Sequence, residues 1–291
     1  MTRIINYTAS SLDEGKTIHI FLREHFFPVK IITILKHTEN SVCLNGVPVF
    51  LNTKLKSQDI ITINYFEEDE SPNIVPVNLP FKIVYEDEDI MVVDKPADMP
   101  VHPAINNFEN TLANGIAYYF NSKNERFVFR CINRLDRNTS GLLIVAKHRL
   151  SAAILSDFMK KREIHREYLA LASGIFSDKT GTINLPIGRV SDSIIERFVD
   201  FENGDEAITH YEVIDEFDNC SLLKIKLDTG RTHQIRVHMS HIGHPLLGDS
   251  LYNKEPGSLS RQALHSHIIS FSHPITLEKL EFVSDIDFSS I

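Results

Sequence analysis

The chain has 291 residues, of which 42% are hydrophobic and 24% charged, with 12 glycines and 12 prolines. This composition is that of a globular protein and excludes a fibrous or intrinsically disordered chain. The length suits one large domain with a smaller one beside it. No apolar run approaches the roughly 20 residues that span a bilayer, and the N-terminus lacks the apolar core of a secretion signal, so we expect no membrane partner.

The formal net charge of −9 argues against a nucleic-acid partner only if the local distribution of charge is ignored. Residues 123–167 carry eleven Lys and Arg against five Asp and Glu, whereas residues 190–218 carry one against ten. Affinity for phosphate depends on the local patch, so the basic stretch suits a polyanion. A solvated helix face explains the same stretch equally well.

The N-terminal part of the chain has the pattern of a small independent domain. The spacing of apolar residues predicts two short helices over residues 12–38. Asn45-Gly46, between alternating apolar residues, predicts a β-hairpin, and a strand is expected at residues 59–63. These elements predict a domain over residues 1–65.

An acidic segment separates this domain from the rest of the chain. Residues 66–79 contain a run of acids followed by a proline and cannot bury a core, which predicts a linker. Residues 80–291 are then the second domain, with strand and helix patterns in mixed order and no βαβ regularity, which favours an α+β fold. Its expected elements are a hairpin over 81–94, helices over 109–122, 151–161 and 232–241, and strands over 139–147 and 223–227.

The densest cluster of polar residues lies just before the strand predicted at 139–147. Asp136 lies between Arg134 and Arg137, and Thr139 follows. A carboxylate flanked by cations keeps its charge, and an ionised carboxylate is able to act as a nucleophile or a base. A surface aspartate in a salt-bridged turn is the alternative, and spacing alone favours that alternative.

Two further segments carry groups suited to anions. Arg231 lies at the junction of a strand and a helix, near His233, where a guanidinium binds a carboxylate or a phosphate and the helix N-terminus adds positive charge. The alternative is a capping turn with an ordinary surface arginine. In the second segment a basic cluster precedes Tyr168 and suits phosphates and a stacked base, although a core tyrosine on a strand is the simpler explanation. The cluster consists of Lys160, Lys161, Arg162 and Arg166.

The sequence predicts neither a metal nor a cofactor. Histidines cluster at residues 233–244 and 265–273, but without the spacing of a zinc site. A Gly-Lys-Ser/Thr phosphate loop, a dinucleotide fingerprint and a Gly-x-Ser-x-Gly elbow are also missing from the sequence. The cysteines Cys43, Cys131 and Cys220 are odd in number and far apart, which favours the reducing cytoplasm over a disulfide framework.

These segments, in this order, resemble the RluA family of pseudouridine synthases over about residues 80–285. Residues 12–64 resemble the alpha-L type RNA-binding module that often precedes that catalytic domain. The matching segments are Tyr85-Glu86-Asp87, Asp94-Lys95-Pro96, Val101-His102-Pro103, Arg134-Leu135-Asp136, Thr139-Ser140-Gly141-Leu142-Leu143, Arg166-Glu167-Tyr168, Pro186-Ile187-Gly188-Arg189, residues 230–236, residues 244–249, Leu264-His265 with Phe271, and His273-Pro274.

The resemblance implies a pseudouridine synthase fold, in which helices and loops flank a mixed, mainly antiparallel central sheet, with a small N-terminal α/β RNA-binding domain. It implies that Asp136 is the catalytic aspartate, that Arg231 pairs with it, and that Tyr168 stacks on the base and helps to handle the proton at C5. Arg134 would help to extrude the nucleotide, because a stacked uridine hides its reacting face. The other expected RNA contacts are Arg137, Thr139, Lys160, Lys161, Arg162, Arg166 and His233.

This chain departs from the family pattern at two places. Asn133 stands where a His is usual, which we interpret as a tuned loop, since both side chains form hydrogen bonds. Residues 204–211 carry acids where a Lys is usual, which argues against phosphate contacts there.

The expected function is therefore the isomerisation of uridine to pseudouridine in a structured RNA, with no cofactor. Large-subunit ribosomal RNA is the preferred substrate, transfer RNA the second choice, and a monomer the expected state. A non-catalytic RNA-binding protein, such as a ribosome assembly factor, is the chief alternative. A hydrolase acting on nucleosides or glycosides is another, and it needs a second carboxylate about 5–10 Å from Asp136.

Overall fold

A computed structural model describes residues 2–67, 73–104, 107–191, 193 and 195–288. The acidic centre of the predicted linker, residues 68–72, lies outside the described residues. Five α-helices are described, together with a short 3₁₀ turn at Ser11–Asp13. The helices are α1 (Ile18–Glu24), α2 (Val29–His37), α3 (Leu112–Ser122), α4 (Arg149–Lys160) and α5 (Gln234–His241).

The strands form two main sheets and one short hairpin. The strands of the N-terminal part are β1 (Thr2–Thr8), β2 (Val42–Leu44), β3 (Val47–Pro48) and β4 (Ile60–Phe66). Those of the large part are β5 (Lys82–Glu86), β6 (Ile90–Lys95), β7 (Ser140–Ala146), β8 (His165–Ser173), β9 (Thr180–Asn184), β10 (Ile187–Arg189), β11 (Arg197–Val199), β12 (Ile208–Phe217), β13 (Cys220–Leu227), β14 (Leu264–Ser272) and β15 (Lys279–Val283).

The α+β fold class is confirmed. The nine-stranded sheet has the order β5-β6-β7-β14-β8-β13-β12-β9, with β15 on β14, and β7–β14 is its parallel pair while the other pairs are antiparallel. The small sheet has the order β1-β4-β2-β3, and its β2–β3 hairpin turns at Asn45-Gly46 as predicted. The strands β1, β9–β12, β14 and β15 were not predicted from the sequence.

The central strand β7 is buried along its whole length. All seven of its residues, SGLLIVA, are buried, which explains why they form a mainly apolar run instead of alternating with polar residues. Helix α4 covers this strand with one apolar face, formed by Leu150, Ile154, Leu155 and Phe158. The region just before β7 is therefore attached to a strand that is buried along its whole length.

The small sheet packs directly on the large part of the chain. One hydrophobic cluster includes Ile5 and Phe21 from the N-terminal part together with Ile144 and Phe158. Charged groups reinforce the contact, because Arg3 binds the buried carboxylate of Asp89 with Nε and Nη2 at 2.8 and 2.9 Å. The proposed division at residues 65 and 80 stays a prediction.

Strand register brings the predicted site residues to one end of the large sheet. Gly141 of β7 pairs with Ser266 of β14, Ser266 pairs with Tyr168 of β8, and Tyr168 pairs with Ile225 of β13. This row lies beneath the loop that precedes β7, and the chain leaves β13 beside it to enter α5. In the described part of the chain, no helix is both long and apolar enough to cross a membrane.

Candidate active site

The loop before β7 is fixed to that strand by Asn133. Its Nδ2 donates to the carbonyl of Leu142 at 3.3 Å, and its Oδ1 accepts from the backbone N–H of Ile144 at 2.9 Å. The side chain of Asn133 is buried, and it supplies hydrogen bonds to two backbone groups of β7. Asn133 thus holds the loop in place from below, and its contacts are to the backbone of β7.

A buried lysine holds the other side of the same loop. The Nζ of Lys95 donates to the carbonyls of Pro96, Met99 and Arg137 at 2.7, 2.8 and 3.0 Å. Burial lowers the pKa of Lys95 to about 7, partly opposed by the charge of Asp136. These bonds join the extended loop after β6 to the residue that follows Asp136. From the sequence, Lys95 was recognised only as part of the motif Asp94-Lys95-Pro96.

Asp136 is paired with Arg236 of helix α5. Two nitrogens of Arg236, Nε and Nη2, bind the fully buried carboxylate of Asp249 at 2.7 and 2.8 Å, and Nη1 lies 3.2 Å from Oδ2 of Asp136. Burial opposes the charge of this guanidinium, but the two carboxylates raise the pKa of Arg236 above its usual value. The side chain of Asp136 keeps 23% of its surface exposed. An oriented, partly accessible carboxylate results.

The predicted pair between Arg231 and Asp136 is wrong. Arg231 donates through Nε to the carbonyl of Glu206 at 3.0 Å, and its Nη1 lies 3.4 Å from Asp205. The helix begins later than predicted, at Gln234, because His233 has a left-handed backbone with φ of 58°. After this turn, the guanidinium that pairs with Asp136 is that of Arg236, within helix α5.

Arg236 was missed although the sequence contained a signal for it. His233 and Arg236 are three residues apart, and that spacing places side chains on one side of a helix. The Nε2 of His233 indeed lies 3.8 Å from Oδ2 of Asp136. Its Nδ1 lies 2.8 Å from the hydroxyl oxygen of Tyr252, so one ring nitrogen contacts the tyrosine while the other is on the side of the carboxylate. Burial lowers the pKa of His233, opposed by the charge of Asp136.

Tyr168 lines the same site from the sheet beneath it. It is 4% exposed, and burial raises the pKa of its hydroxyl while the nearby charge of Arg166 opposes that rise. Arg166 is itself buried, donating from Nη2 to the carbonyl of Thr229 at 3.4 Å, and its Nε lacks a partner among the described residues. Gly230 leaves room for it, since a Cβ there would lie 2.9 Å from Nη1 of Arg166.

These groups surround a cavity of about 550 Å³, called the Asp136 cavity below. Of the predicted site residues, seven line it: Arg134, Asp136, Thr139, Arg166, Tyr168, Arg231 and His233. Four others do not line it: Arg137, Lys160, Lys161 and Arg162. The volume falls within the roughly 300–1,000 Å³ of sites that hold small ligands. It can therefore receive a single nucleoside.

The four basic residues outside the cavity have other surroundings. Arg137 pairs with Asp98 at 2.7 Å, and Lys161 pairs with Asp157 one helical turn away at 2.7 Å. Arg162 lies 3.5 Å from both Glu206 and Asp228, and Lys160 is exposed at the end of α4. They are exposed on the surface and do not form the walls of the cavity.

The Asp136 cavity contains a second acidic residue, which the sequence analysis did not place there. Asp228, which follows β13, also lines it. Its carboxylate lies 3.5 Å from Arg162 and 3.2 Å from His210. These two side chains contact Asp228 at the end of β13, whereas Asp136 is held from helix α5.

One group of potential metal ligands occurs within the described ranges, away from this cavity. Asp87, Asp89 and His273 have ligand atoms within 4.8 Å of one another. Asp89 is already bound by Arg3 and by His148, whose Nε2 lies 2.7 Å away, and His273 contacts Asp87 at 2.9 Å. A cation there would have to displace the guanidinium, so these residues fit a structural ion pair better than a metal.

Known RNA pseudouridine synthases are similar to this chain over most of its length. The model of the family described as RNA pseudouridylate synthase matches residues 89–241, slightly more than half of the chain. The chain is 39% identical, over 87% of its length and 89% of the relative's, to the RNA pseudouridine synthase YjbO of Bacillus subtilis. It is also 37% identical to the ribosomal large subunit pseudouridine synthase D of Vibrio cholerae, over 84% of this chain and 79% of that one.

A solved structure of an RNA pseudouridylate synthase domain protein is also similar to this chain. The human RNA pseudouridylate synthase domain containing 1 superposes with a TM-score of 0.58 and 30% identity, covering 71% of this chain and 84% of that chain. The span matched by the family model, residues 89–241, contains the positions of Asp136, Tyr168 and Arg236. The chain therefore belongs to the RluA family of RNA pseudouridine synthases and is an isomerase.

Proposed function

We propose that this enzyme isomerises uridines of large-subunit ribosomal RNA and that Asp136 is its catalytic carboxylate. The observation that carries the proposal is the carboxylate itself, partly exposed in a nucleoside-sized cavity and held by the buried Arg236–Asp249 pair. Relatives of 37–40% identity named as ribosomal large subunit pseudouridine synthase D support the choice of RNA. Transfer RNA is the second candidate.

The reaction moves the uracil within one nucleotide. The N1–C1′ bond breaks, the base turns and a C5–C1′ bond forms. C5 loses its proton and N1 gains one, so that the product is an isomer of uridine. An oriented carboxylate suits each of three roles: attack on C1′, addition to C6, or removal of the 2′ proton. The guanidinium of Arg236 pairs with Oδ2 of Asp136 at 3.2 Å, and Nε2 of His233 lies 3.8 Å from the same oxygen. Tyr168 is placed to stack on the base and to take part in the transfer of the C5 proton.

The uridine has to leave its stack to reach this site. Arg134 is exposed, lies next but one to Asp136, and lines the cavity, so it is suited to fill the vacated space or guide the nucleotide. The walls also have to keep water from the detached base, because hydrolysis would compete. Val101, Leu135, Ile235 and Leu264 supply apolar wall surface for this purpose.

The basic residues outside the cavity are proposed to bind RNA phosphates. Lys160, Lys161 and Arg162 end helix α4 and the turn after it, and all are exposed. Each ion pair that they form with an acid is exposed and therefore weak, about 0.2–1 kcal/mol. Arg137 is likewise exposed in its pair with Asp98. The free cysteines are in keeping with the expected cytoplasmic location.

The test compares pseudouridine maps of cellular RNA. Cells that lack the protein are complemented with the wild type, with Asp136→Asn, or with Asp98→Asn as a control on an exposed aspartate of the neighbouring loop. We expect specific uridines of large-subunit ribosomal RNA to lose modification and to regain it with the wild type and Asp98→Asn only. If cells that lack the protein lose modified uridines in transfer RNA alone, transfer RNA and not ribosomal RNA is the substrate. Full restoration by Asp136→Asn would reject Asp136 as the catalytic group.

A further inference from the structure

A second cavity of about 440 Å³ adjoins the first one. The β10–β11 hairpin, the turn at 203–205 and the loop at 230–232 form its walls. It shares Arg134, Gly230, Arg231 and Thr232 with the Asp136 cavity, so a chain that enters one cavity continues into the other. We call it the arginine cavity, after Arg134, Arg189, Arg197 and Arg231, all of which line it.

The hydrogen-bonding pattern leaves donors available in this cavity. Arg189 uses Nε for the carbonyl of Ser193 at 3.1 Å, and Arg197 uses Nη1 for the carbonyls of Ile195 and Glu196 at 3.0 and 2.9 Å. These bonds hold each guanidinium in position. Towards the residues that the structure describes, the terminal nitrogens of Arg189 and the Nη2 of Arg197 make no bond, and planar forks of this kind suit phosphate.

Asp205 is the acidic residue among the described walls of this cavity. Its Oδ2 lies 3.4 Å from Nη1 of Arg231, and the two side chains are 72% and 41% exposed. Such an exposed pair contributes little, and a phosphate that enters replaces it at small cost. Meanwhile the Nε bond from Arg231 to the carbonyl of Glu206 keeps the guanidinium directed to the cavity.

We propose that the arginine cavity binds the ribose phosphate of the nucleotide next to the extruded uridine, through Arg189, Arg197 and Arg231. Asp205 holds Arg231 until that phosphate displaces it. The inference rests on the proposed function for the nature of its ligand, a single-stranded RNA segment. It also gives Arg231 a role in place of the incorrect pairing with Asp136.

The first experiment measures the affinity of the full chain for a short fluorescent oligouridylate over a series of salt concentrations. Arg189→Met and Arg197→Met should each reduce the slope of log affinity against log salt by about 0.7, the value for one phosphate contact on a single strand. Lys179→Met, at an exposed lysine outside both cavities, is the matched control and should leave the slope unchanged. Thermal unfolding identifies any variant that loses its fold.

Asp205→Asn should strengthen RNA binding, whereas the arginine variants remove phosphate contacts. Removal of the competing charge should tighten binding of the same oligomer by about two- to fivefold, the range expected for an exposed ion pair. The effect should disappear in the background of Arg231→Met, because the pair is then already absent. Unchanged or weaker binding by Asp205→Asn would overturn the role of Asp205.

A second probe locates the contact on the RNA. An oligoadenylate with one central uridine carries a neutral methylphosphonate on either the 5′ or the 3′ side of that uridine. One of the two should weaken binding to the wild type and have no effect on Arg189→Met. The subsite would be overturned if the methylphosphonate weakened binding to the wild type and to Arg189→Met equally, on both sides of the uridine. It would also be overturned if Arg189→Met and Arg197→Met both kept the salt slope of the wild type. Neither assay needs turnover, so a chain that binds in this manner but never isomerises uridine would reject the proposed function alone.

Discussion

The position of Asp136 depends on one guanidinium that serves two carboxylates. Arg236 gives two nitrogens to the fully buried Asp249 and one to Asp136. Loss of the charge at 236 would leave Asp249 buried and unpaired, at a cost of roughly 3–5 kcal/mol. A replacement that keeps the charge but not the planar fork therefore tests the chemistry more cleanly than one that removes it.

We expect Arg236→Lys to lower kcat by roughly ten- to a hundredfold, because a lysine cannot bind both carboxylates at once. Arg231→Lys should leave kcat within about twofold and change mainly KM, because its guanidinium contacts Asp205 and not Asp136. Steady-state kinetics on a modified RNA, with unfolding curves for both variants, checks the prediction. Equal losses of kcat would show that Arg231 acts in the chemical step.

At this scale the sequence indicated residue types better than partners. Asp136 and Tyr168 were identified from their motifs, and both line the cavity. The partner of Asp136 was assigned to the wrong arginine because the left-handed turn at His233 is invisible in helical periodicity. Asn133 was expected to tune the loop, whereas it bonds to the backbone of β7, a contact that follows from tertiary structure.

Among the elements, the contact between β7 and β14 decides where the catalytic loop lies. Gly141 begins this contact with φ of +107°, and a Cβ on it would lie 2.3 Å from the backbone oxygen of Ser266. Tyr168 pairs with the same Ser266 on the other side of β14. Glycine at 141 thus brings the loop carrying Asp136 close to the tyrosine.

Gly141→Ala should destabilise the protein strongly and reduce activity in the fraction that folds. Gly243→Ala is the matched control, since its φ is +87° but a Cβ there meets nothing within 4 Å. The control should cost about 1–2 kcal/mol for backbone strain, and Gly141→Ala should cost about 1–3 kcal/mol more for the clash. Urea unfolding measures both. Equal costs would mean that β14 moves freely away from β7.

The elements that the sequence predicted are those with strong local patterns. Helices α1 to α4, strand β7 and the Asn45-Gly46 hairpin were all expected near their observed positions. Strands β9 to β12 were not, because they lie near the edge of the sheet and in the small hairpin, where half-exposed residues mix polar and apolar types. Their pairing is set by neighbours distant in sequence, which local periodicity does not encode.

At the scale of the whole molecule, the N-terminal sheet and the large part of the chain share one hydrophobic cluster. Arg3 adds a bidentate pair with Asp89, whose carboxylate also accepts from His148. The module expected to bind RNA is therefore fixed relative to the Asp136 cavity. RNA that binds both parts would be held in one orientation.

Arg3→Met should weaken this attachment by about 1.5–3 kcal/mol, the usual contribution of hydrogen bonds to a charged group. Hydrogen exchange should then become faster in β1 and β4 before it does in β7. Lys54→Met, at an exposed lysine of the same module, serves as the control. Unchanged exchange in β1 and β4 would show that apolar packing alone fixes the module.

Buried histidines should make the fold sensitive to acid. Burial lowers the pKa of His238 and of His265 in the folded protein, whereas an unfolded histidine binds a proton near pH 6.5. Below about pH 6.5 the unfolded chain therefore binds more protons, and the free energy of unfolding falls as the pH decreases towards the folded pKa. Above pH 6.5 these histidines are neutral in both the folded and the unfolded chain, so they no longer make the free energy of unfolding depend on pH.

Replacement of one such histidine should flatten this dependence. His238→Gln removes the titrating ring but keeps a donor for the carbonyl of Leu185, which the Nε2 of His238 contacts at 2.9 Å. Urea unfolding between pH 5 and 7 should give a slope smaller by up to about 1.4 kcal/mol per pH unit. The control is His37→Gln, at an exposed position of helix α2. Parallel curves for the wild type and His238→Gln would contradict the linkage.

The most direct measurement is the release of tritium from RNA labelled at C5 of uridine, because pseudouridine forms only when that hydrogen leaves. Purified wild-type protein and Asp98→Asn should release tritium at similar rates. Asp136→Asn should release none above background while binding the same RNA with an affinity within a few-fold of the wild type. Release by Asp136→Asn at a substantial fraction of the wild-type rate would contradict the assignment of the catalytic carboxylate.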